Sequence, residues 1–188
     1  QLGRYDELID YASDLMIDEP HDIGIRYMLA FAYLATDAFG PAVHVLTSAG
    51  VGTLDKDAQI RSMADIEAGI SLLDAMVGTG APDLVEAARN VAAELERDAP
   101  WDGDVGWAAV SRSCNYSILG RHEEALEVLP NVKKSQRLRY YPMLRGARCL
   151  REYADEPVYQ DVLKDQEERR ARLRKKLPAT LKEYGVSL

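Results

Sequence analysis

The sequence predicts an all-α chain of stacked antiparallel helix pairs closed by a long C-terminal helix. Three observations carry that prediction. Apolar residues recur at helical spacing along most of the 188 residues. No run of β-branched alternation reads as a strand. A bend followed by a helix returns at regular intervals, first after 34 residues from Gly3 to Asp37. Hydrophobic residues make up 47% of the chain and charged residues 29%, the balance of a folded rather than a disordered chain.

The elements follow in order. GRYDELIDYASDLMIDEP (Gly3–Pro20) opens on a bend, then carries Leu8, Ala12 and Leu15 on one helical face, and stops at Pro20. IGIRYMLAFAYLAT brings Leu29, Ala30 and Tyr33, a stripe with a small residue where two helices must approach closely. DAFGPAVHVLTSAG (Asp37–Gly50) bends again and continues with Ala42, Leu46 and Ala49. A long helix is expected over Asp57–Val77, ending in GTGAP. APDLVEAARNVAAELERDAP then places Ala88, Ala92 and Leu95 on one face, with Asp83 as the expected N-cap and Pro100 as the stop.

After Asp104, a second expected cap, VGWAAVSRSCNYSIL carries Ser113 and Tyr116. The bend GRHEEALEVL follows with Ala125 and Leu129. From Lys133 onward the chain reads as helical but outside this pattern. DVLKDQEERRARLRKKL (Asp161–Leu177) sets acids first and bases last, as a long helix favours, with Asp165–Arg169 and Glu168–Arg172 at i, i+4. Pro178 is expected to end it.

The coincidence of Leu29, Ala30 and Tyr33 with Ala42, Leu46 and Ala49, closed by proline at the Pro20 position, resembles the tetratricopeptide repeat. The likeness is strongest over Gly3–Gly50 and extends loosely to Leu129, with Arg112 standing where that family carries Leu. The resemblance implies a right-handed α-solenoid of helical pairs over residues 1–135, with residues 136–188 as a helical cap and tail of the same contiguous domain. It also makes Gly3–Pro20 the second helix of a repeat whose first helix lies upstream, so the chain reads as a piece of a longer protein.

Function classes narrow next. A net charge of −8 and a pI near 5.0 disfavour wholesale binding of nucleic acid or anionic membrane. The longest apolar run, Tyr27–Ala35, is far shorter than the ~18 residues of a spanning helix. The glycine-bearing stretches Gly50–Asp55 and Val77–Asp83 complete no phosphate-binding motif. His21, His44 and His122 have no ligand-spaced partner, and no nucleophile elbow is present, so neither a metal, a cofactor nor catalysis is expected. Cys114 and Cys149 lie in apolar-periodic segments far apart in sequence and read as buried reduced thiols, which fits a cytoplasmic setting.

Interaction surfaces remain. From Val128 to Arg151 the chain has no acid but seven cations, Lys133, Lys134, Arg137, Arg139, Arg145, Arg148 and Arg151. Without them the net charge of −8 becomes −15. Two readings stand, a dock for an acidic partner or internal neutralisation of the acidic repeats. Tetratricopeptide proteins that grip peptide C-termini use Lys, Arg and Asn on the first helices, and the matching positions here are Tyr27, Met28, Phe31 and Leu34 in one repeat. In a later one they are Val110, Ser111, Cys114 and Ser117.

Such a groove suits an amphipathic helix of a partner or of this chain. The expected partner-binding residues are therefore Tyr27, Phe31 and Leu34, with Arg139, Arg145 and Arg148 as a charged rim. The same positions also suit a plain core. The C-terminal helix reads either as a solvated end or as a homodimer contact. A further expectation is set by Glu156–Leu177, which is similar to the closing segment of bacterial tetratricopeptide regulators that carry a winged-helix or nucleotide-cyclase domain upstream.

Overall fold

A computed structural model of the chain describes residues 4–20, 22–48, 63–99, 101, 105–135 and 141–183. Among the described residues there is no strand; ten α-helices and one 3-10 helix make up the fold. In chain order they are α1 (Tyr5–Asp18), α2 (Ile23–Ala35), α3 (Phe39–Ser48), α4 (Met63–Gly78) and α5 (Pro82–Asp98). There follow α6 (Val105–Leu119), α7 (His122–Val128), the 3-10 helix Leu129–Lys134, α8 (Tyr141–Gly146), α9 (Arg148–Arg151) and α10 (Pro157–Glu183).

Each of the first seven helices packs on the next, and α2 also touches α4, as α4 touches α6. The reversals after α2, α4 and α6 share one device. Asp37, Gly80 and Gly120 each take a left-handed backbone, with φ of 59°, 71° and 76°. After α2 the Ala38 N–H donates to the Tyr33 carbonyl and the Asp37 N–H to that of Leu34; after α6 Arg121 and Gly120 donate to Tyr116 and Ser117. These are paired C-terminal closures that satisfy otherwise orphaned carbonyls. After α4 the Gly80 bond to Val77 is kept, but the Thr79 hydroxyl takes over the Met76 carbonyl and accepts from the Ala81 N–H. Aspartate at the first site is tolerated because its short polar side chain suits this conformation.

Ala12, Ala30, Ala42, Ala88, Ala92, Ala125 and Leu129 are fully buried, and Leu29, Leu46 and Tyr116 nearly so. Leu8 and Tyr33 are half-buried. Ala49 lies outside the described residues. One apolar cluster joins Ile66, Trp107 and Leu129 to Leu144, Leu150 and Tyr159, so the C-terminal helices share the core of the preceding ones. A second cluster gathers Ala12, Leu29, Ala30, Val45, Leu46 and Leu72 around α1–α3.

Of the long helix expected over Asp57–Val77, the described part is α4, from Met63, and residues 57–62 lie outside the described residues. Two expectations are corrected. Asp83 is not the cap of α5: Ala81 is, because Pro82 takes the first helical position, where its missing N–H costs nothing, and Asp83 sits in the first turn. Pro178 does not end α10, which continues to Glu183. Residues 171–178 are all exposed, so a carbonyl deprived of its helical donor there is free to bond water. Asp104, Pro100 and His21 lie outside the described residues. Among the described residues no helix is long and apolar enough to cross a membrane.

Candidate functional site

Helix α2 is apolar on nearly every face, the pattern of a helix sandwiched between neighbours. Leu29 and Ala30 join the cluster against α1 and α3. Tyr27, Phe31 and Leu34, at i, i+4 and i+7, line a cavity with Ile70 and Asp74 of α4 and Cys114 of α6, while Phe31 also meets the Tyr5 ring of α1 and Leu34 packs on Ala42 of α3. These are the positions expected to face a groove.

The chain itself fills that groove. Helices α8 and α9 lie across α2, α4 and α6, leaving only about 10 Å³ unfilled beside Tyr27 and Phe31, room for one water. Leu144 and Leu150 are fully buried there. Gly146 passes so close to α2 that a Cβ on it would stand 2.7 Å from the Phe31 ring, and only glycine fits without displacement.

Two polar anchors and a covalent one fix this segment at three points. The Arg148 guanidinium lies 2.9 Å from Asp74 Oδ1, and the Cys149 backbone N–H donates to Asp74 Oδ2 at 3.2 Å. Asp74 is 1% exposed. Burial pushes its carboxyl above the ordinary carboxylate range, and the Arg148 charge and the Cys149 N–H pull it part of the way back. At the end of α9, Arg151 donates to Asp37 Oδ1 at 2.6 Å and to the Leu34 carbonyl at 3.3 Å, setting a cation at the C-terminus of α2.

The third point is covalent. Cys114 of α6 and Cys149 of α9 form a disulfide with their Cα atoms 5.1 Å apart. The reading of both as reduced thiols is therefore wrong, and the argument from free thiols to a reducing compartment falls with it. A sequence separation of 35 carries no signal of pairing. Only the fold, which lays α9 on α6, brings the two together.

Four of the five described cations of the stretch are neutralised from within, and the fifth, Lys134, is exposed. Lys133 pairs with Asp161 at 2.7 Å, Arg145 with Glu167 at 2.8 Å, Arg148 with Asp74 and Arg151 with Asp37. Of the expected rim, Arg145 is exposed and Arg148 is committed to the groove floor. Arg139, with Arg137 and Tyr140, lies outside the described residues. Of the expected groove residues, Leu34 is buried and Tyr27 and Phe31 are half-buried. Val110, Ser111, Cys114 and Ser117 are all buried.

Sequence reasoning missed Asp74 and Gly146. A signal existed for the first, since Asp74 is the lone acid in ISLLDAMV, and a charge inside an apolar helical run calls for a buried partner.

Arg112, at odds with the expected Leu, is also explained. It pairs with Glu96 at 2.5 Å, lies over the Trp101 and Tyr116 rings, and Tyr116 donates to the same Glu96 at 2.8 Å. Its stem lines a surface cleft of about 320 Å³ with Trp101, Val105 and Asn131. Among the described residues no group of three or more His, Cys, Asp or Glu is placed to hold a metal. Comparison with protein-family models, with curated proteins and with solved structures finds no match to this chain.

Proposed function

We propose that this chain is a non-catalytic interaction module, built as a tetratricopeptide-like right-handed α-solenoid whose inner face on α2, α4 and α6 receives a short helical segment. One observation carries the reading: that face already holds helices, α8 and α9 of the same chain, by apolar contacts around a single buried acid. The ridge of Tyr27, Phe31 and Leu34 supplies the apolar floor, and Asp74 supplies the polar anchor. A cationic side chain beside a small residue is the chemistry such a floor selects. The contacts of α2 with α4 and of α4 with α6 support the stacked arrangement.

A synthetic fluorescent peptide of residues 142–152 carrying Cys149→Ser is the probe. A chain loosened by Arg148→Ala with Cys149→Ser is expected to bind it saturably, whereas the wild type, its groove covalently occupied, is not. Adding Asp74→Ala to the loosened chain is expected to weaken binding. A loosened chain that keeps its helical circular dichroism and binds no peptide overturns the reading.

A further inference from the structure

The two ends of the described chain each leave a helix with an unpacked, strongly charged face, and the two faces are opposite in sign. Helix α1 contains five acids, Asp6, Glu7, Asp10, Asp14 and Asp18, and no Lys or Arg. Its inner face packs Ile9, Ala12 and Met16 into the N-terminal cluster. A second stripe, Leu8, Tyr11 and Leu15 at spacings of three and four, is only partly covered, and Tyr11 is 59% exposed. Asp14 and Asp18 run along one edge of that stripe by the same helical geometry.

Helix α10 leaves the body after Arg169, whose guanidinium donates to the Ser135 and Lys133 carbonyls. Arg170 is still half-buried, and beyond it the exposed residues 171–178 hold four cations, Arg172, Arg174, Lys175 and Lys176, and no acid. Leu173 and Leu177, one turn apart, are 53% and 47% exposed. Helical spacing sets Arg174 on one side of this pair and Arg172 and Lys176 on the other. The body and the tip are thus unlike surfaces, and the tip matches α1 in kind: two or three apolar side chains flanked by charge.

We infer that the basic outer half of α10 docks on the acidic outer stripe of α1 in a second copy of this chain. Charge complementarity selects this occupant, since α1 presents Asp14 and Asp18 beside apolar side chains, while the one base at this face, Arg4 at the N-cap, pairs with Glu7 at the far end of the stripe. Length agrees: α1 has 14 residues and α10 continues 14 from Arg170 to Glu183, each spanning about 21 Å. The two patches differ, so two copies either exchange both contacts about a two-fold axis or join head to tail and grow as a chain. The contact goes beyond the groove described above and does not depend on it.

Sedimentation velocity over a concentration series tests this. At about 0.05 M salt the chain is expected to associate in the micromolar range, with a dissociation constant rising about tenfold at about 0.5 M, where screening shortens the reach of the charges. A chain with Arg172→Glu and Lys176→Glu, and another with Asp14→Lys and Asp18→Lys, are each expected to be monomeric alone. Mixed, they restore both oppositely charged contacts and are expected to associate again, which a merely unfolded variant does not do. Three results overturn the inference: a monomeric wild type at high micromolar concentration, association that survives either reversal, or a mixture that stays monomeric. So does a monomeric wild type that instead co-sediments with vesicles of anionic lipid, which assigns the basic tip to a membrane surface.

Discussion

Asp74 is where one side chain decides most. A carboxylate with 1% exposure is costly to charge, and its only relief comes from Arg148 and the Cys149 N–H, both on the segment that covers it. The folded chain therefore holds the Asp74 proton more tightly than the unfolded chain, whose ordinary value is 3.8. Its contribution to stability is full below that value and is lost as pH rises through the raised folded-state value, the reverse of a surface carboxylate with a depressed pKa. Arg148→Met removes a lowering influence, so the Asp74 carboxyl is expected to titrate at still higher pH. Carboxyl carbon shifts followed by NMR across a pH series check this, and a titration left where it was would mean that Arg148 does not sense Asp74. Residues of this kind were half legible. ISLLDAMV announces a misplaced acid, but nothing near Asp74 in sequence points to Arg148, 74 residues on.

Among the elements, α1–α7 were readable because each carries its own period and its own stop: Ala12, Ala30, Ala42, Ala88 and Ala125 mark close helix approaches by size alone. Helices α8 and α9 were not, because six and four residues are too few to show a period. They are also too short to be stable alone, and depend on what they pack against. Holding them is the work of the Cys114–Cys149 bond, which closes a loop of 35 residues. A loop of that size restricts the unfolded chain by about 4 kcal/mol. The double variant Cys114→Ser, Cys149→Ser is expected to lower the urea midpoint, with a loss of unfolding free energy approaching that figure. The loss of hydrogen-exchange protection is expected to be concentrated in residues 141–151. An unchanged midpoint would mean that apolar packing of Leu144 and Leu150 alone holds the segment, and that the bond adds nothing.

For the whole molecule, the decisive fact is that the core is not evenly shared. The larger cluster is continuous from α4 to α10 because the C-terminal segment folds back on α6, with Leu144, Leu150, Tyr159 and Val162 closing over Trp107 and Val110. The sequence left two readings of the cationic run from Val128 to Arg151, a dock or internal neutralisation, and only the fold decides for the second, bringing Asp37 from the turn after α2, Asp74 from α4, and Asp161 and Glu167 from α10. At the other end, α1 has its main contact with α2 alone, and its buried contribution is essentially Ala12, with Ile9 and Met16 partly covered. Helices that touch only their neighbours unfold by nearest-neighbour terms, so opening of α1 forfeits one interface while opening of α6 forfeits several. Native-state hydrogen exchange in increasing denaturant is therefore expected to show α1 amides exchanging through a low-energy opening with little denaturant dependence. Amides of Val110–Ile118 in α6 are expected to exchange only through global unfolding. A common slope and free energy for both sets would make the chain a single cooperative unit, and would refute a picture in which the α6–α9 disulfide divides a fast-opening N-terminal end from a locked remainder.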